Sequence, residues 1–190
     1  ARTTGPFQGN ESLYFQSINR GKRSISIDLR QERGQALFLD LAEKADVVME
    51  NFTPGVMDRL GVGWEALSAR NPALIYAATS GFGQTGPLRN RAALDIAVQG
   101  MGGVMSITGY PDGPPARVGT SVGDITAGLY TAVGVLAALH ERERSGLGQM
   151  VDVSMLDCQI SILENAVARY FATGKEPQRL GTRHPSATPF

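Results

Sequence analysis

Three groups of residues in this 190-residue chain have the types and spacing to do chemistry. The first is Ser154-Met155-Leu156-Asp157, a hydroxyl and a carboxylate at the junction between a strand pattern and a helical one. One reading is a capping box, with Ser154 at the N-cap and the acid bonded back to the backbone. The other is a carboxylate near a helix N-terminus at the carboxyl end of a parallel strand, where α/β proteins put ligand sites. There the helix field keeps Asp157 ionised and therefore nucleophilic. Spacing alone does not separate the two, and a cap is the more frequent use of such a pair. Cys158, the next residue, reads as a small buried apolar side chain and not as a nucleophile.

The second group is Gly81-Phe82-Gly83-Gln84-Thr85-Gly86, which formally matches G-x-G-x-x-G after a strand. A dinucleotide fingerprint needs its third glycine inside a helix and an acid about 20 residues further on. Here Pro87 follows at once, Asp95 comes too soon, and Asp112 sits in a turn. The segment is better read as a flexible or ligand-facing glycine loop. The third group is basic: Arg20, Lys22, Arg23, Arg30, Arg59, Arg89 and Arg91. Each alone is ordinary solvated surface. Together they would suit a ligand carrying several phosphates, because guanidinium forks match phosphate oxygens.

Bulk properties remove other classes. A formal net charge of zero argues against a general nucleic-acid binder. A single cysteine forbids an internal disulfide framework and fits a reducing compartment. With only His140 and His184 beside it, no zinc site is expected. Apolar runs are broken by Gly, Asp or Arg before the roughly 20 residues of a membrane span, so no membrane partner is expected. Ala1-Arg2-Thr3-Thr4-Gly5-Pro6 shows no signal-peptide apolar region.

The elements that must position these groups follow from periodicity. Residues 1–20 read as an irregular lead-in. Alternation in Ser24–Leu29 predicts a strand, and the i, i+4, i+8 series Leu37, Leu41, Ala45 predicts a helix over 31–45. Val47-Val48-Met49 predicts a buried strand ending at Pro54-Gly55. Short helices near 55–60 and 64–70 lead to a strand at Leu74–Ala78 and the glycine loop. Helix is expected over 92–104, and a Gly/Pro-rich connection over 108–119. A long helix runs from Asp124, as N-cap, to Arg144, with Gly146 just past its end. His140 lies exposed on it. A strand at Met150–Ser154, with Asp152 facing outward, precedes one long helix over 155–173, and 181–190 is loop. Strands alternating with helices predict an α/β fold with a parallel sheet.

Longer motifs then carry a resemblance. Ile18 to Ile25, Asp46 to Gly55, Arg59-Leu60-Gly61, Ser80 to Pro87, Thr108-Gly109, Asp112 to Pro115, Gly146 to Asp157 and Gly181 to Pro185 occur in an order that resembles the class III CoA-transferases. The similarity runs from about Tyr14 to Phe190, so Tyr14-Phe15 is treated as native sequence and not as a protease-tag remnant. The resemblance implies a Rossmann-like parallel sheet with flanking helices, with residues 1–190 the central part of the large domain of an interlocked homodimer. It further implies that the first βα unit, the small domain and the closing part of the large one lie outside this sequence.

The implied activity is transfer of CoA from an acyl-CoA donor, with succinyl-CoA the suggested one, to a free carboxylic acid. Coenzyme A enters as substrate, and no cofactor is permanently bound. Asp157 would be the nucleophile, forming an aspartyl-CoA thioester. CoA contacts carry over to Ile27, Asp28, Leu29 and Arg30, to Asn51, Phe52 and Thr53, to Arg59, and to Arg91, Ala92, Ala93 and Leu94. Gly81, Phe82 and Gly83 would lie near the reacting thioester. The common Gly-Tyr-Asp is Ala93-Leu94-Asp95 here, so the resemblance does not carry the aromatic contact to CoA over to that position. A cytoplasmic location is expected, or a mitochondrial or peroxisomal one in a eukaryote. The rivals are an α-methylacyl-CoA racemase, which needs a histidine just before Asp95 where this chain has Ala92-Ala93-Leu94, and a non-catalytic CoA-binding relative.

Overall fold

The computed structural model describes residues 2–187; the last three positions of the expected 181–190 loop lie outside them. The sheet that organises the chain has three parallel strands in the order β3 (Val47–Glu50), β4 (Ile75–Ser80), β5 (Met150–Ser154). Its register pairs Glu50 with Ala78, and Ala78 with Asp152, so these three residues form one row across the sheet. The same register sets Ser80 beside Ser154 at the carboxyl end. β4 is central, and Ile75, Tyr76, Ala77 and Ala78 are all buried, as a parallel strand covered on both faces requires.

Strand alternation divides the apolar residues into two cores. Tyr76 and Ala78 of β4, with Met150 of β5, join Ala42, Met57, Val62, Leu67 and Leu74. These come from α2 (Glu32–Ala42), α3 (Val56–Arg59), α4 (Trp64–Arg70) and their connections. On the other face Val151 and Val153 pack with Val98, Ala127, Met155 and Cys158. That layer is built from α5 (Asp95–Met101), the one-turn α6 (Val104–Ile107), α7 (Val122–Ser145) and α8 (Met155–Ser161), with α9 (Asn165–Thr173) beyond. The result is the expected α/β arrangement of a parallel sheet with flanking helices.

α7 lies along the sheet at close range. A Cβ on Gly134 would stand 2.6 Å from Val151 Cγ1, so only glycine lets the helix approach β5 there. Thr131 Oγ1 and Thr79 Oγ1 share a hydrogen bond of 2.7 Å, fixing α7 to β4. At the far end Gly146, at φ 74°, closes the helix with its N–H on Arg142 O. At 24 residues α7 is long and apolar enough to cross a membrane, which the broken apolar runs did not suggest. One side of it, with Thr126, Ala127, Thr131 and Ala138, is buried, while Leu129, Val133 and Leu136 stay exposed.

Four expectations about elements are corrected. Ser24–Leu29 is not a strand: no neighbouring strand pairs with it among the described residues, and Ile25 stays 66% exposed. The segment is extended chain whose Leu29 alone reaches the first core, held by Gln35 Nε2 donating to Leu29 O at 3.0 Å. The single helix over 155–173 is two. α8 is locked by buried Gln159, whose amide donates to Thr126 Oγ1 at 3.0 Å, and the chain then turns through Glu164 at φ 47°. Asp124 is not the N-cap of α7; Ser121 is, leaving Asp124 inside the first turn. The 92–104 helix begins only at Asp95, so Arg91–Leu94 is free to shape a loop. The lead-in also has more order than its composition suggests: β1 (Phe7–Gln8) pairs with β2 (Glu11–Ser12) and α1 (Leu13–Ile18) follows, capped by Ser12 Oγ on the Phe15 amide.

Candidate functional site

The carboxyl ends of the three parallel strands carry the segments that the sequence singles out. β3 ends at Glu50 and runs into Asn51–Thr53. Buried Glu50 accepts the Phe52 N–H at 2.6 Å and the Tyr76 hydroxyl at 3.4 Å, which folds the chain back at Phe52. Asn51 Nδ2 donates to Thr79 O at 2.6 Å and ties this turn to β4. Burial pushes the Glu50 carboxyl up, against the two hydrogen bonds it accepts; the charges of Asp58 and Asp152 add to the rise. Burial, then the Glu50 charge, raises the Tyr76 phenol.

β4 ends at Ser80 and opens into the glycine loop. Asn51, Phe52, Thr53, Gly81 and Arg91 to Leu94 together line one cavity of about 240 Å³, with Asp124 and Met155 on its wall. Gly81 is required there because a Cβ would lie 2.4 Å from Ala93 Cβ. The structure thus gathers two of the expected CoA-contact segments and the first loop glycine around one space. Burial and the neighbouring Asp95 carboxylate raise the Asp124 carboxyl above its ordinary value. Asp95 itself accepts the Gly123 N–H at 2.8 Å and the Gln99 amide at 2.7 Å. It is occupied in joining α5 to the start of α7, and Ala92-Ala93-Leu94 offers no base beside it.

The remaining expected contacts lie outside that cavity. Asp28 and Arg30 pair with each other at 3.0 Å on the surface before α2, the hydrogen bonds from Arg30 lowering the Asp28 carboxyl. Ile27 and Leu29 are half-buried beside them. Arg59 is exposed and folds back over the Pro54-Gly55 turn: a Cβ on Gly55 would lie 3.1 Å from its Nη1. That turn is continuous with Thr53, so Arg59 borders the cavity's loop without lining the cavity.

β5 ends at Ser154, whose Oγ accepts the Asp157 N–H at 3.2 Å and so caps α8. The capping reading is half right. The reciprocal bond is not made: the Asp157 carboxylate has no hydrogen-bond or ion-pair partner among the described residues, and the residue is exposed. It lines a second cavity, of about 350 Å³, with Tyr130, Gly134, Asp152, Cys158 and Ser161. Cys158 is buried, and burial together with the Asp157 charge pushes its thiol up, which keeps it protonated and inert. His140 is exposed on α7 and His184 belongs to the surroundings of α9, so neither histidine reaches either cavity. No cluster with metal-ligand composition occurs among the described residues.

One residue outside the sequence-based set proves central to the geometry. Asp152 accepts the Gln84 N–H with both carboxylate oxygens, at 3.0 and 3.1 Å. Its place on an alternating strand correctly predicts that it faces out. The loop amide it meets is 68 residues away in the chain, and no local pattern signals that contact. The buried amides Gln99 and Gln159 were likewise missed, although a glutamine on an otherwise apolar helix face is the available signal.

The comparisons with known proteins are consistent over the whole chain. Residues 1–190 match the family described as CoA-transferase family III. Acetyl-CoA:oxalate CoA-transferase of Acetobacter aceti is 53% identical over 190 residues, covering 100% of this chain and 49% of that protein. Succinyl-CoA:mesaconate CoA-transferase of Haloarcula hispanica is 45% identical over 198 residues, covering 100% of this chain and 50% of its own. Among solved structures, a CaiB/BaiF family protein from Brucella suis superimposes with a TM-score of 0.93 at 44% identity, over 100% of this chain and 51% of that one. The chain spans about half the length of the curated relatives it matches.

Proposed function

Because the chain belongs to CoA-transferase family III, we propose that the protein carries CoA from an acyl-CoA donor to a free carboxylic acid, with Asp157 as covalent nucleophile. A carboxylate oxygen of Asp157 attacks the donor thioester carbonyl; the C–S bond breaks, leaving a mixed anhydride and CoA thiolate. The thiolate attacks the aspartyl carbonyl, the donor acid leaves as its carboxylate, and an aspartyl-CoA thioester remains. The acceptor carboxylate attacks that thioester and releases the thiolate again. Attack of the thiolate on the acceptor acyl carbon forms the product thioester and restores Asp157. No net proton is moved, so the site needs a free carboxylate and dryness more than an acid or base.

The observation that carries this reading is the state of Asp157: exposed, its carboxylate unbonded among the described residues, and lining a cavity at the carboxyl end of β5. A non-catalytic relative would be favoured by an Asp157 that was buried, bonded to backbone amides and remote from any cavity, and the residue is exposed and lines one. Cys158, the adjacent rival nucleophile, is held protonated by burial. In this reading Asn51–Thr53 and Arg91–Leu94 hold the CoA chain, while Ile27–Arg30 and Arg59 serve its phosphate end. The glycine loop Gly81–Gly83 borders the thioester.

The relatives' names pair acetyl-CoA with oxalate and succinyl-CoA with mesaconate. Both acids are small dicarboxylates, which supports a dicarboxylic acid as acceptor for this protein; the second name supports succinyl-CoA as donor and the first acetyl-CoA. The reading includes an interlocked homodimer and a reducing compartment such as the cytoplasm, where the lone buried cysteine stays a thiol. The test is to mix full-length protein with succinyl-CoA, trap with hydroxylamine, and locate the adduct by mass spectrometry. A hydroxamate on Asp157 supports the mechanism. No adduct, together with α-proton exchange in deuterated water, would replace it with racemase chemistry.

A further inference from the structure

The loop that follows β4 is tied at both ends to the segment that bears Asp157. Gly81 O accepts the Leu156 N–H at 3.1 Å, one residue before the proposed nucleophile. Three residues on, the Gln84 N–H is held by both oxygens of Asp152. Between these ties Gly83 is buried at φ 80°, and a Cβ on it would stand 3.5 Å from the Asp152 carboxylate and 3.6 Å from Ser154 Cβ. Ser154 is the residue whose hydroxyl fixes the Asp157 amide. The loop therefore lies directly over the Ser154 cap, and Asp152 is the side chain that sets how far along β5 it rests.

From this geometry we infer that Asp152 is a positioning residue for the transfer reaction: it holds Gly81–Gln84 in register over the Ser154–Asp157 step. The inference rests on the reading of Asp157 as nucleophile. Asp152 does not touch the reacting atoms in this role. A charged acceptor is suited to it because a bidentate, charge-assisted bond to one backbone N–H fixes a glycine-rich segment that has no side chains to pack. A glycine loop without such a clamp samples many backbone states, and a thioester bordered by it would be presented to Asp157 in many poses. The Gln84 side chain takes no part in this hold: its amide nitrogen is buried and unbonded among the described residues, so the backbone N–H on Asp152 is what fixes the loop there.

A purely structural role for Asp152 would appear as lost stability with proportionate loss of all activity. A positioning role predicts a split. In full-length D152A, loading of Asp157 from succinyl-CoA, followed by rapid quench and mass spectrometry, is expected to slow roughly ten- to hundredfold. The donor KM and the thermal midpoint should stay close to wild type. Amide exchange in the peptide covering Gly81–Gly86 should accelerate. D152N, whose amide oxygen still accepts the Gln84 N–H, should recover much of the loading rate. If D152A does not yield folded protein, Asp152→Glu, which keeps the charge but moves the carboxylate one methylene further from β5, should show the same split. Loading at the wild-type rate in D152A despite faster loop exchange overturns the inference and leaves the nucleophile intact. A wild type that forms no adduct with either succinyl-CoA or acetyl-CoA overturns the mechanism first, and the positioning role with it.

Discussion

Ser154 accepts the Asp157 backbone N–H at 3.2 Å, and the Asp157 carboxylate gives no bond in return. A capping box satisfies both partners; here only the helix is served, and the acid is left facing a cavity. The asymmetry is what the proposed reactive role of Asp157 needs and a purely structural cap does not. The amide is fixed by the serine, so the carboxylate carries no share of the cap and is free for chemistry.

It follows that Asp157→Ala should be tolerated by the fold and fatal to the reaction. The lost side chain is exposed and unbonded among the described residues, so stability should change by no more than about 1 kcal/mol. Transfer activity should fall by roughly 10³-fold or more, since Asp152, the other carboxylate lining the cavity, is engaged by the Gln84 N–H. Steady-state assay and a thermal melt on the same sample check both halves. Residual activity within about tenfold of wild type would reassign the nucleophile.

The contact between Gly81 and Ala93 gives a second test. A Cβ at Gly81 would sit 2.4 Å from Ala93 Cβ, pushing Arg91–Leu94 off the cavity they line. Gly81→Ala should cost about 1–3 kcal/mol in stability, in CoA affinity, or split between them. Because the obstruction is one methyl, the Gly81→Ala/Ala93→Gly double variant should recover most of that loss. A double-mutant cycle by calorimetry measures the coupling. Additive effects would mean that the loop relaxes without moving the Arg91 segment.

What the sequence disclosed divides along a physical line. The strands at Val47, Ile75 and Met150, and the end of α7 at Gly146, were legible because each is written in its own local pattern. The register that brings Ser80 beside Ser154 is not, since pairing depends on a partner far away in the chain. Ser24–Leu29 shows the converse error: alternation supplies one half of a strand, and without a neighbour to take its hydrogen bonds Ile25 stays in solvent. The break after Ser161 was hidden because residues on both sides favour helix, and only the hold of Gln159 on Thr126 reveals where the direction changes. The expected site residues came from resemblance; Asp152, visible only as an outward strand position, needed the fold.

Arg59 offers a separate check on the phosphate end. Its guanidinium is exposed, makes no ion pair among the described residues, and lies over the turn that carries Thr53. Arg59→Ala should weaken CoA binding by about 1–3 kcal/mol if the fork meets a phosphate. Lysine at this position should restore only part, because it keeps the charge and loses the fork. Titration calorimetry with CoA and with dephospho-CoA reads both effects. Unchanged affinity in the alanine variant would remove Arg59 from the site.

The last prediction concerns pH and comes from Glu50. Burial raises its carboxyl above the ordinary 4.5, so the folded protein holds this proton at pH values where the unfolded chain has released it. Where the folded state binds more protons, stability falls as pH rises, beginning at the unfolded value and ending once the folded group has also ionised. Below that window Glu50 contributes no slope. A glutamine in place of Glu50 cannot titrate, and its amide oxygen can still accept the Phe52 N–H while the Tyr76 hydroxyl accepts from the amide nitrogen. The difference between the thermal midpoints of wild type and Glu50→Gln should therefore grow in favour of the glutamine variant as pH rises from about 4 to about 8. A difference that stays flat across this range would mean that Glu50 titrates alike in both states, and that the row Glu50–Ala78–Asp152 holds no strained charge.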